Sequence, residues 1–212
     1  FRVLPPWGPL PQEAIDPVRY IGNRSTGKMG FALAEEAALR GANVQLVTGP
    51  VDLELDRPGI TRTDVVSAAE MAAACKQMAA ECDVVIMSAA VADYRPAQAA
   101  NEKMKKSGGS LEVPLEPTED ILAGLGAAKR RGQRLVGFAL ETDNELAHAK
   151  EKLVRKNLDL LVLNSLRDPG AGFGTDTNKV TLLVPGTDPV ELPLLSKAEV
   201  ARAILDRLEE LL

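Results

Sequence analysis

Short, continuously apolar runs alternate along this chain with runs of helical periodicity, and that alternation most constrains its fold. Asp83-Val84-Val85-Ile86-Met87 and Leu158–Leu163 carry almost no polar side chain, as expected of strands buried on both faces of a parallel sheet. Asn43–Thr48 alternates, is rich in β-branched residues and meets Gly49-Pro50, and Ile60–Val66 and Arg134–Leu140 read as further strands. Between them fall predicted helices. Phe31–Arg40 is stopped by Gly41, Ala68–Glu81 opens with Ser67 and Glu70 in capping-box spacing, and Asn144–Lys156 follows later. Thr118 is the expected N-cap of a helix entered through Glu119-Asp120-Ile121, and Ser196 that of Lys197–Leu212. The order predicts an α/β fold: a doubly wound, mostly parallel sheet with helices on both faces. Lys179–Val184 and Val190–Leu194, joined through Pro185-Gly186-Thr187-Asp188, add a small antiparallel C-terminal hairpin. Arg2-Val3-Leu4 could begin a first strand, which Pro5 and Pro6 would end and, in a central position, disrupt. No repeat or long linker interrupts the pattern, so residues 1–212 read as a single domain.

Composition narrows the function. Hydrophobic residues make up 45% of the chain but aromatics only 3%, giving a core of Ala, Leu and Val. A formal charge of −5 lacks the basic footprint of a nucleic-acid binder. No apolar run reaches the ~18 residues of a membrane span, and Phe1–Pro11 shows no secretory signal, so a cytoplasmic location is expected. Cys75 and Cys82 have no neighbouring Cys or His to build a zinc site and read as buried, inert thiols. His148, the single histidine, sits among Glu145, Lys150 and Glu151 on a solvated helix.

The chemistry gathers in loops. Gly22-Asn23-Arg24-Ser25-Thr26-Gly27-Lys28-Met29-Gly30 opens the first helix with glycines, hydroxyls, an amide and cations, the composition of a phosphate-holding turn. Gly22-x4-Gly27-Lys28 begins a P-loop, but Met29 replaces the magnesium-binding hydroxyl, and G-x-G-x-x-G is absent. Ser88–Arg95 and Gly137–Thr142 follow other strands, and in a doubly wound sheet such loops converge on one crevice. Asp93 there is a carboxylate for a ribose hydroxyl or a metal ion. Glu102-Lys103-Met104-Lys105-Lys106, bounded by Gly108-Gly109, suits a mobile lid closing on polyphosphate. Lys152 and Lys156, four apart on one helix face, can address one anion. No Ser-His-Asp or Cys-His triad is apparent, and the set favours phosphoryl or nucleotidyl transfer.

Five ordered motifs then become recognisable: Asp16-Pro17-Val18-Arg19-Tyr20-Ile21, Asn23 through Gly30, Ala89-Ala90-Val91-Ala92-Asp93-Tyr94, Lys103-Met104-Lys105-Lys106 and Lys156-Asn157-Leu158-Asp159. Together they resemble the phosphopantothenoylcysteine synthetase family, in bacteria usually one half of a bifunctional coenzyme A biosynthesis flavoprotein. The resemblance implies a Rossmann-like fold and a homodimer with its active site completed across the interface. It implies a ligase that activates 4′-phosphopantothenate with CTP and Mg2+ as an acyl-cytidylate and then joins it to L-cysteine. By motif position, Asn23 would hold the acyl carbonyl and Lys103 would reach the triphosphate. Ser25, Gly27, Ala89, Ala90, Asp93, Phe138, Lys152 and Lys156 would line the nucleotide. Arg19, Asn23 and Ala90 would contact phosphopantothenate, and Asp93 is the candidate metal ligand. A fused or associated flavin decarboxylase is a further expectation. Two other readings compete: a Rossmann-like dinucleotide oxidoreductase, which the missing glycine fingerprint disfavours, and a non-catalytic nucleotide-binding module.

Overall fold

A computed structural model describes residues 2–4, 11–55, 57–106, 108–141, 143–164, 170–172 and 174–212. Its elements run in the following order. Strand β1 (Arg2–Leu4) precedes a small hairpin, β2 (Glu13–Ala14) and β3 (Tyr20–Ile21). Helix α1 (Lys28–Leu39), β4 (Asn43–Thr48), β5 (Ile60–Asp64), α2 (Ala68–Ala79) and β6 (Val84–Met87) complete the first half. A second ribbon pairs β7 (Tyr94–Pro96) with β8 (Leu115–Pro117). Then come α3 (Ile121–Ala127), β9 (Arg134–Leu140), α4 (Glu145–Arg155) and β10 (Leu160–Asn164). The chain closes with β11 (Thr177–Asn178), β12 (Val180–Leu183), β13 (Val190–Glu191), β14 (Leu195–Ser196) and α5 (Lys197–Glu209).

Eight strands form the main sheet in the order β13-β12-β10-β9-β6-β1-β4-β5. All neighbours are parallel from β10 to β5, while β12 and β13 are antiparallel additions at the other edge. The predicted doubly wound sheet and C-terminal hairpin are therefore present. Helices cover both faces. Phe31, Leu33 and Ala34 of α1 and Val200, Ala201 and Ile204 of α5 bury one face. Met71 and Cys75 of α2, Ile121 and Leu125 of α3, and Leu153 of α4 bury the other. Strand β6 is buried at every position, as its unbroken apolar run requires.

Strand β1 is central, between β4 and β6, with Val3 and Leu4 buried. The expected disruption does not reach it, because pairing is complete at Arg2–Leu4; Pro5 and Pro6 lie outside the described residues. Two caps differ from expectation. Asp120, not Thr118, caps α3 by accepting from the Ala123 amide, while the Thr118 hydroxyl donates to the Ala92 carbonyl. At α2 Ser67 accepts from the Glu70 amide, but Glu70 returns its bond to Val66 rather than to Ser67. Ser196 and Glu199 form a complete capping box at α5.

Candidate active site

Parallel pairing puts the C-terminal ends of β1, β4, β6, β9 and β10 on one side of the sheet, the side where open α/β sheets hold ligands. There the 22–30 loop enters α1 through Gly27, whose φ of 77° is left-handed and favours glycine. No side chain caps α1, so its first amides are not claimed from that side. A Cβ added to Gly22 would make only ordinary contacts, 3.5 Å from the Tyr20 ring. Packing within the chain does not by itself demand glycine there.

One bond joins this loop to the next. The Asn23 Nδ2 donates to the Ala90 carbonyl at 2.9 Å, which fixes the amide over the small-residue loop after β6. Ser25 turns inward toward the Gly27 amide, 3.5 Å away. Ala89 and Ala90 are half-buried, and Asp93 is exposed with no hydrogen bond or ion pair to its carboxylate among the described residues. Phe138 is half-buried in β9 and packs on the first core.

The lysine-rich segment is docked. Its Ala100 amide donates to the Ile15 carbonyl at 2.9 Å, and the Met104 amide to Asp16 at 3.1 Å. Arg19 clamps the same place, donating to both Asp16 and the Met104 carbonyl. The Arg19 guanidinium, helped by the amides of Val18 and Met104, holds the Asp16 carboxyl well below the usual carboxylate range against the effect of burial. Lys103 is left exposed and unpaired among the described residues. Arg19, expected at the substrate, fastens the lysine-rich segment to the hairpin in this structure.

Lys152 and Lys156 do not share one target. Lys152 donates to Glu141 at 3.0 Å and Lys156 to Asp120 at 2.9 Å, because Lys156 already lies past the last turn of α4 as its C-cap. Burial alone would raise the Asp120 carboxyl, but hydrogen bonds from Lys156 and the Ala123 amide leave it below its ordinary value. His148 is half exposed, 3.8 Å from Glu141, in keeping with a solvated position.

With this geometry in view, the DNA/pantothenate metabolism flavoprotein C-terminal domain family matches residues 3–212. The chain belongs to that family. It is 46% identical over 200 residues to the coenzyme A biosynthesis bifunctional protein CoaBC of Bacillus subtilis strain 168, covering 94% of this chain and 49% of that protein. It is 50% identical over 196 residues to a cysteine/cysteine sulfinic acid decarboxylase of an unknown prokaryotic organism, covering 92% and 55%. The chain thus spans about half the length of these curated relatives. Among solved structures, the C-terminal domain of CoaBC superposes with a TM-score of 0.83 at 42% identity, covering 99% of this chain and 94% of that one. A Cab2 mutant in complex with phosphopantothenate-cysteine shares the fold, at a TM-score of 0.78 and 18% identity over 99% and 86% of the two chains.

In this flavoprotein C-terminal domain, some residues of the motifs noted above hold the backbone together. Asn157 adopts a left-handed φ of 53° and donates to the Gly126 carbonyl at 3.0 Å. Asp159 accepts from the Leu135 amide at 2.7 Å and from Lys129 at 3.0 Å, tying β9 to the start of β10. Glu13, a buried residue of β2, accepts from the Ala68 amide at the start of α2. The carboxylates that occupy Lys152 and Lys156 were not legible: they lie 11 and 36 residues away, and no spacing rule links them.

Proposed function

We propose that this domain is a ligase of coenzyme A biosynthesis that joins 4′-phosphopantothenate to L-cysteine with CTP. The carboxylate of 4′-phosphopantothenate attacks the α-phosphorus, forming an acyl-cytidylate and releasing pyrophosphate. The cysteine amine then attacks the acyl carbon, forms the amide, and expels CMP as the ammonium loses its protons. The carrying observation is the Asn23–Ala90 bond, which holds an amide over the crevice where the glycine-rich and alanine-rich loops meet. A neutral amide orients a mixed anhydride without attacking it, as a carboxylate could.

Asp93 and Lys103 are the two charged groups of the expected set with no protein partner among the described residues, and they are the groups assigned to metal and triphosphate. No cluster of three or more His, Cys, Asp or Glu side chains gathers among the described residues. Mg2+ usually binds through one or two carboxylates together with substrate phosphates, so Asp93 suits an ion that arrives with the nucleotide and neutralises its phosphate charge. A homodimer is part of the proposal. Val18, Tyr20, Tyr94 and Leu115 are exposed on the β2–β3 and β7–β8 ribbons, which lie against each other, and a second copy would cover them; a monomer in sedimentation would remove this part. A fused flavin decarboxylase fits the bifunctional relative.

The test is pyrophosphate release from CTP or ATP with 4′-phosphopantothenate, with and without L-cysteine. Release that prefers CTP, with CMP and amide appearing only when cysteine is added, is expected. No release from folded protein with either nucleotide would leave a binding module in place of the ligase.

A further inference from the structure

Lys28 completes the P-loop-like Gly22-x4-Gly27-Lys28 stretch, yet the ligase reading above gives it no task. It is the first residue of α1, and its Nζ is turned to the 174–176 segment, 2.6 Å from Asp176 Oδ1 and 3.3 Å from the Gly174 carbonyl. The Asp176 side chain is 87% exposed. An ion pair so open to water is weak, and a polyphosphate carrying several charges can outcompete it.

A second cation lies beside it. Lys197 opens α5, is buried, and donates to the carbonyls of Thr175 and Gly172 rather than to any carboxylate among the described residues. Burial, and then the charge of Lys28, push its ammonium below the ordinary lysine value, with Asp176 the opposing influence. Lys28, Lys197 and Asp176 border one cavity of about 340 Å³, shared with Phe31 and Leu53. Glu35 and Glu54 also line it but form no ion pair with either lysine. Lys28 thus leans on one exposed carboxylate at the entrance to the glycine-rich loop, beside a second ammonium that donates to carbonyls; the lining carries no net positive charge, so an anion reaches Lys28 by displacing Asp176.

We propose that Lys28 is a polyphosphate-binding residue held by Asp176 until a nucleoside triphosphate enters the 22–30 loop, when its ammonium passes from carboxylate to phosphate. The transfer frees Asp176 and unties the 174–176 segment from α1, so nucleotide binding and the position of that segment are coupled. This rests on the nucleotide-binding reading of the site. It adds a residue that the ligase assignment leaves out.

The experiment measures CTP and inorganic tripolyphosphate binding by titration calorimetry on the full chain and on Asp176→Asn, Lys28→Ala and the double variant, each checked for an unchanged thermal melt. Asp176→Asn should bind both ligands about fivefold more tightly, the equivalent of the ion pair it removes. Lys28→Ala should bind them at least tenfold more weakly, and adding Asp176→Asn to it should restore nothing. Wild-type binding with both single variants unchanged overturns the exchange while leaving the nucleotide reading intact. Equal tightening by Asp176→Asn with and without Lys28 would mean that Asp176 merely repels the ligand, which also overturns it. A wild-type chain that binds neither ligand overturns the nucleotide reading and this inference together.

Discussion

At the scale of single residues, the site divides into groups already engaged and groups left open. Asn23 is engaged at a carbonyl, which makes its amide identity testable. Asn23→Asp keeps the shape but sets a carboxylate against the Ala90 oxygen and beside the reacting anhydride. The amide-forming step should slow by about 100-fold, as when one oriented donor is lost; single-turnover rates equal to wild type would remove Asn23 from the mechanism. The cysteines make the opposite case. Burial pushes the Cys75 thiol up to about 12 and is the main cause raising Cys82 to about 11, so neither forms thiolate near neutrality. Native protein at pH 8 should resist iodoacetamide, while urea-unfolded protein takes it up at both; rapid native labelling of either would contradict the packing. Composition and order marked the loops that carry Asn23, Asp93 and Lys103, and the family resemblance gave Asn23 and Lys103 their expected roles. Sequence alone could not show that Arg19 reaches Met104, since that contact joins residues 85 apart.

Elements were legible where they are long and periodic. All five helices and the long parallel strands follow from patterning, and Ser196 caps α5 as expected, though the full box it makes with Glu199 was expected at Ser67 instead. The ribbons β2–β3 and β7–β8 were not found, for two or three residues carry no period to detect. Thr118 lost α3 to Asp120 because its hydroxyl is spent on the Ala92 carbonyl. The join between α3 and α4 also escaped notice, and it is tight: a Cβ on Gly126 would stand 2.0 Å from the Lys156 carbonyl oxygen. Gly126→Ala must therefore push the end of α4 away from α3 and disturb the Lys156–Asp120 pair. It should destabilise the fold by about 3 kcal/mol in urea unfolding. A loss below about 1 kcal/mol would show that the two segments do not approach this closely.

For the whole molecule, charge links the fold to pH. Asp16, Asp120, Asp176 and Glu199 all titrate below their ordinary values. A carboxylate lowered in the folded state stabilises fully above its unfolded pKa, and that contribution fades as pH falls toward the folded value. Tm should accordingly hold near neutrality and fall once pH drops below about 4; a Tm unchanged from pH 6 to 3 would show that these pairs do not couple to folding. Sheet order, by contrast, comes from pairings remote in sequence, such as Val3 with Val84, and no local pattern announces them. The place where the lysine-rich segment is fastened has a consequence of its own. Met104 hangs from Asp16 and Arg19 on the turn of a two-stranded hairpin, not from the eight-stranded sheet. The fastening therefore adds no pairing to the central sheet and takes none from it. On the proposed ligase reading, a substitution that loosens Asp16 or Arg19 should alter how Lys103 is presented while every pairing of the central sheet stays closed.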